Sequence, residues 1–94
     1  MTEIIVRKIN DDNEIMFYEV EVRDGGGSTK HKVEVSEGYY KQVAGDSISP
    51  EVLVQKSFEF LLERESKESI LSSFKLSVIS RYFPQYEREI KKYF

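Results

Sequence analysis

The stretch Met16-Phe17-Tyr18-Glu19-Val20-Glu21-Val22-Arg23-Asp24-Gly25-Gly26-Gly27-Ser28-Thr29-Lys30-His31-Lys32-Val33-Glu34-Val35 decides the fold class. Apolar and charged residues alternate on both sides of a glycine cluster. A period of two marks a strand with one covered and one solvated face. Over residues 14–23, Met16, Tyr18, Val20 and Val22 share one face, and Glu19 and Glu21 the other. Over residues 29–36, Val33 and Val35 oppose Lys30, Lys32 and Glu34. Asp24 to Ser28 breaks the pattern, because consecutive glycines lose too much backbone entropy inside a strand. The segment predicts a hairpin with a mobile glycine tip.

Upstream, Glu3-Ile4-Ile5-Val6-Arg7-Lys8-Ile9 reads as a further strand, followed by the turn formers Asn10-Asp11-Asp12-Asn13. Together the segments predict an antiparallel three-stranded meander over residues 1–36. Because a one-residue slip flips every side chain, the pattern also predicts a register. Val20 is set opposite Val33, Tyr18 opposite Val35, Val22 opposite His31, and Glu21 against Lys32. In the first hairpin Val6 meets Tyr18 and Ile4 meets Val20. This arrangement leaves Ile5, Ile9, Ile15 and Phe17 on the second face, where something should cover them.

Downstream, residues 37–94 read as helical. Glu37 to Ala44 forms a short helix ended by Gly45. Ser49-Pro50-Glu51 then opens a longer one: serine caps the first amides, proline suits the first turn, and glutamate meets the positive end of the dipole. That helix is expected from Pro50 to about Glu65. Val54, Phe58, Leu61 and Leu62 form its inward stripe, widened by Leu53 and Phe60. Beyond Ser66 come the cluster Ile70, Leu71 and Phe74, then Leu76, Ile79, Tyr82 and Phe83 at helical spacing. Pro84 separates these from Tyr86, Ile90, Tyr93 and Phe94. The expected architecture is one α+β domain over residues 1–94, with a capped helix and C-terminal helices packed on the sheet.

Two resemblances accompany this pattern. The run Ser57-Phe58-Glu59-Phe60-Leu61-Leu62-Glu63-Arg64-Glu65, with Ser69-Ile70-Leu71 and Tyr82-Phe83-Pro84-Gln85-Tyr86-Glu87, resembles a family of small prokaryotic proteins. Members share an S-F-E-F-L-L-E-R-E and a Y-F-P-x-Y-E segment, and the likeness covers roughly residues 36–90. The family carries no known activity, so the resemblance implies no functional residues. The order of three strands, Gly-Asp-Ser and a capped helix is also loosely similar to antitoxins of the HicB type. Here, however, Asp24 to Ser28 replaces the proline- and glycine-containing segment expected after the second strand.

Composition narrows the function classes. Charged residues make up 33% of the 94-residue chain, while Ile, Leu, Val and Phe number 28, enough for a core. There is no cysteine, hence no disulfide, thiolate nucleophile or Cys-ligated zinc, and only one histidine. No apolar run approaches the ~18 residues of a membrane span. These features lead us to expect a cytoplasmic protein without cofactor, metal or membrane partner. Net charge is -3, with ten acidic and six basic residues in 1–47 and the balance reversed in 66–94. Nucleic-acid binding, which draws most of its affinity from phosphate neutralisation, is therefore not favoured.

Individual motifs have ordinary structural explanations. Asp11-Asp12-Asn13-Glu14 suggests a calcium loop, but the sixth and twelfth positions from Asp11 are Met16 and Val22 rather than glycine and glutamate. Gly25 to Ser28 lies between two strands, not before a helix, and lacks the closing Lys-Ser or Lys-Thr of a phosphate loop. His31 has no companion nucleophile in the sequence and is expected as a partly buried strand residue.

The C-terminal aromatics are the most informative feature: six of twelve lie in the last 21 residues. They can fill the core, or they can form a protein-binding surface, since interfaces are enriched in tyrosine, phenylalanine and arginine. The expected function is a non-catalytic interaction or regulatory module whose partner is another protein or a second copy. Its anchors would be Tyr82, Phe83, Tyr86 and Ile90. The alternative is a nucleic-acid-binding or antitoxin-like regulator using Lys30, Lys32, Tyr39 and Tyr40.

Overall fold

The structure, a computed structural model, describes all residues from Met1 to Phe94. Three long strands come first: β1 (Glu3–Asp12), β2 (Ile15–Asp24) and β3 (Gly27–Ser36). Helices α1 (Glu37–Ala44) and α2 (Pro50–Leu62) follow. The C-terminal third holds a short strand β4 (Ser73–Lys75) and two single-turn helices, α3 (Ile79–Tyr82) and α4 (Tyr86–Glu89). Tight 3₁₀ turns at Lys67–Ser69, Leu76–Val78 and Ile90–Tyr93 connect and extend these elements. The fold is α+β, and the sheet is mixed.

Sheet order is β1-β2-β3-β4, with β1 to β3 antiparallel and β4 parallel to β3. The meander is as expected, but its register is displaced by two residues along both hairpins. Val20 faces His31, Tyr18 faces Val33 and Val22 faces Thr29. In the first hairpin Val6 faces Val20 and Ile4 faces Val22. The cause is tighter turns. Strand β1 continues through Asn10, Asp11 and Asp12, and only Asn13 enters the left-handed region, at φ 50°. A bulge between Lys8 and Asn10 absorbs the irregularity. At the second hairpin Asp24 pairs directly with Gly27. Because the displacement is even along β2–β3 and along β1 up to Lys8, those side chains keep their faces, whereas beyond the bulge Asn10, Asp11 and Asp12 pair with Phe17, Met16 and Ile15. The charge pairs become Glu21 opposite Lys30 and Glu19 opposite Lys32.

Capping follows the sequence closely. The Ser36 side chain accepts from the Tyr39 amide and that of Ser49 accepts from Val52, with Pro50 in the first turn of α2. Gly45 ends α1 at φ 58°, a conformation a β-carbon would strain. Helix α2 stops at Leu62, short of the expected end, and Arg64 and Glu65 form a turn against Leu61.

All the helices cover one face of the sheet. Tyr18, Val20, Val22, Val33 and Val35 from the strands pack with Leu53, Val54, Phe58, Phe60 and Leu61 from α2. Leu76, Ile79, Tyr86 and Ile90 complete this core. Phe60 lies at the centre of the aromatic part, meeting the rings of Phe83, Tyr86 and Tyr93 edge-on at 5.3–6.2 Å. The Arg64 guanidinium sits 3.6 Å from its ring centre. The cover expected over Ile5, Ile9, Ile15 and Phe17 is therefore absent. Ile9 is 52% exposed and the other three are half-buried. The C-terminal rings have only one sheet face to occupy, and Tyr18 and the valines already claim it.

Candidate functional site

The segment after α2 builds a groove. Lys67 is the pin that positions it: its ammonium reaches Asp24 at 3.0 Å and Glu68 at 2.7 Å and is nearly buried. Glu68 and Asp24 together hold the Lys67 pKa above its usual value, while Lys67 and the Gly26 amide hold that of Asp24 down. The base of the glycine tip, at Asp24, is thus tied to the turn at Lys67–Ser69, while Gly25 to Gly27 stay exposed.

Beyond that turn, Ile70 points into the core and Leu71 points outward, 47% exposed. The Leu71 carbonyl then meets His31 Nδ1 at 2.7 Å, while Thr29 Oγ1 lies 2.8 Å from Nε2. A carbonyl only accepts, so Nδ1–H donates to Leu71, leaving Nε2 to accept from the threonine hydroxyl. His31 is a satisfied structural residue, packed 5.3 Å from the Phe58 ring. The Lys32 amide bonds the Ser72 carbonyl at 2.8 Å, and β4 begins. These contacts fix the height of Leu71 and Phe74 relative to α2.

Between the end of α2 and α3 the result is an apolar groove of about 170 Å³. Leu61, Ile70, Phe74 and Ile79 form its deeper wall, and Leu71, Val78, Tyr82 and Phe83 its outer one. Glu65 and Ser69 are its only polar lining residues. Burial alone raises the Glu65 pKa; no ion pair or hydrogen bond contributes. A carboxylate without a partner thus borders the apolar surface. The volume is well below the ~300–1,000 Å³ of pockets that enclose small-molecule ligands. It suits one large side chain.

The structure divides the expected interface residues. Tyr82 is 66% exposed and Phe83 half-buried, and both line the groove. Tyr86 and Ile90 are fully buried, which corrects their assignment as surface anchors. The Tyr86 hydroxyl lies 2.6 Å from Ser57 Oγ, which donates its own hydrogen to the Leu53 carbonyl at 2.7 Å. Tyr86 therefore donates to Ser57, and its ring fills the space under α2.

The alternative set is not brought together either. Lys30 and Lys32 are exposed on the open face of the sheet, opposite Glu21 and Glu19. Tyr39 and Tyr40 lie on α1 and pack against the core from the helical side. The Tyr39 hydroxyl donates to Glu87 at 2.9 Å, and that of Tyr40 donates to the Ile48 carbonyl. Desolvation and then the Glu87 bond raise the Tyr39 pKa. Neither ring lies beside the lysines as a stacking platform, which corrects the proposed pairing of these four residues. No three metal-ligating side chains cluster, and no helix is long and apolar enough to cross a membrane.

Sequence reasoning missed Glu65, Leu71 and Lys67 as a unit. The available signal was the doublet Ile70-Leu71 outside any helical period, which placed one residue inward and one outward. Comparison with protein families, curated proteins and solved structures finds no match to this chain.

Proposed function

We propose that the protein is a non-catalytic interaction module whose groove between α2 and α3 receives one large apolar side chain of a partner protein. The observation that carries this reading is the unpaired Glu65 carboxylate beside the exposed Leu71 and Tyr82. An apolar anchor residue next to a lysine or arginine satisfies both elements at once. The cation gains a partly desolvated carboxylate, and the anchor covers surface that is otherwise wet. The aromatic wall supplies contact area at low conformational cost, because tyrosine and phenylalanine have few rotatable bonds.

Selection from a random peptide library on the intact protein tests this. Enriched peptides should pair a Leu, Met or Phe with a neighbouring Lys or Arg. Leu71→Asp should abolish their binding, and Glu65→Lys should shift the preference toward acidic neighbours. Peptides without a basic residue, or binding indifferent to Leu71→Asp, would remove the groove as the recognition site.

A further inference from the structure

We propose that the outer edge of β1 pairs with the same edge of a second copy of this chain, antiparallel and centred on Ile5. This inference is independent of the groove, which lies on the helical side. β1 is the first strand of the sheet order and pairs only with β2. None of the remaining backbone hydrogen bonds involves residues 3–12. The amides and carbonyls pointing away from β2 are therefore free to receive another strand.

The register follows from the side chains. A two-fold axis normal to the sheet pairs residues of the same face, so odd residues meet odd and even meet even. Centred on Ile5, the pairing sets Glu3 opposite the partner's Arg7 and Ile5 opposite the partner's Ile5. On the helical side, Ile4 meets the partner's Val6. Charge meets opposite charge and apolar meets apolar at every one of these positions. Displacing the centre to Ile4 puts Ile5 against the partner's Glu3, and displacing it to Val6 puts Ile5 against the partner's Arg7. Only the Ile5-centred register is self-complementary.

The bulge between Lys8 and Asn10 ends the pairing surface, because a strand cannot follow the edge through it. The joint is consequently short, below the ~1,200 Å² of a standard interface, and belongs to a weak, concentration-dependent dimer. Glu3 is exposed and forms no salt bridge, although it lies opposite Arg23 in the β1–β2 register and acts on it electrostatically. Arg7 reaches Glu19 at 3.4 Å and Glu21 at 3.7 Å within its own chain, yet its side chain stays 56% exposed, so the partner's Glu3 would join an existing charge cluster. Continuing the sheet would join two open faces, bringing the two Ile5 side chains together at the axis.

Sedimentation velocity from low micromolar to millimolar protein provides the test. The intact chain should approach twice its 11.0 kDa mass as concentration rises. Glu3→Arg and Arg7→Glu each place like charges across the joint twice, and each should weaken the dimer about tenfold or more. An equimolar mixture of the two variants restores both opposite-charge pairs and should dimerise about as well as the unaltered chain. A mass that stays at 11.0 kDa throughout overturns the proposal. So does a dimer untouched by either variant, or one that mixing does not restore, since its contact would lie elsewhere. Circular dichroism of each variant must match the parent chain; Glu3→Arg, at an exposed position, keeps the test valid if Arg7→Glu perturbs folding.

Discussion

The two faces of one sheet meet opposite fates. On the helical face Tyr18, Val20, Val22, Val33 and Val35 are buried beneath α2 and the C-terminal turns. On the open face Ile5, Ile15 and Phe17 are only half-buried, among Glu19, Glu21, Lys30 and Lys32. Both faces follow from the same alternation, yet only one holds the fold together. The difference teaches that a strand pattern specifies which side chains belong together, while the number of helices determines how many faces are closed. Apolar side chains among charges on a solvated face are consistent with a surface that is wetted or shared.

Substitutions can test that contrast. The largest loss is expected for Tyr86→Ala on the closed side, about 3–5 kcal/mol of stability, because a fully buried ring leaves a cavity. Phe17→Ala on the open face should cost only about 1 kcal/mol, since the half-buried ring recovers solvation. Chemical denaturation of both variants compares them directly, and equal losses would mean that the open face is structurally closed. Tyr86→Phe isolates the hydroxyl. It should cost about 1 kcal/mol, because Ser57 still donates to Leu53 and loses only an incoming bond.

The tie between Lys67 and the glycine tip adds a pH dependence. Asp24 has a depressed pKa, so its contribution to stability is complete above the ordinary aspartate range. It is lost as pH falls through the depressed value, when the protonated carboxyl releases Lys67. Lys67→Met should flatten that part of an acid denaturation curve. Glu65 has the opposite sign: burial raises its pKa, and protonation relieves an unfavourable charge as pH falls through the raised value. Glu65→Gln should leave stability at neutral pH unchanged or slightly higher. The smallest effect belongs to the open-face pair Arg7–Glu19, at 3.4 Å, in which Arg7 is exposed, Glu19 is partly exposed and the guanidinium is shared with Glu21. A double-mutant cycle should give a coupling of about 0.5 kcal/mol or less, disappearing in high salt.

Much of this fold was legible because the signals were local. Ser36, Ser49, Pro50 and Gly45 mark helix ends through bonds made within a few residues. The valines of β2 and β3 declared their face through alternation alone. Register was displaced because Asn10, Asp11 and Asp12 are good turn formers that here remain extended near a solvent-exposed hairpin end. Strand β4 escaped notice since Ser73-Phe74-Lys75 is too short to show a period. Its existence depends on the edge of β3, which no local pattern reveals. The groove was illegible for the same reason: Glu65, Leu71 and Tyr82 become neighbours only after Lys67 and His31 have fixed the loop.

The distance along the chain between His31 and Leu71, 40 residues, also has a kinetic consequence. The hairpins of the meander close over short loops, whereas joining β4 to β3 requires closing a loop that contains both α1 and α2. Loop-closure entropy places that event late in folding. The same ordering applies in reverse to local opening, where a short parallel edge detaches before the central antiparallel ladder. Amides of β2 should therefore resist hydrogen exchange longest, while those of Phe74 and Lys75 exchange through a cheaper, partial unfolding. The groove wall resting on β4 would come apart in that excursion, so the groove can open while the meander beneath it stays intact.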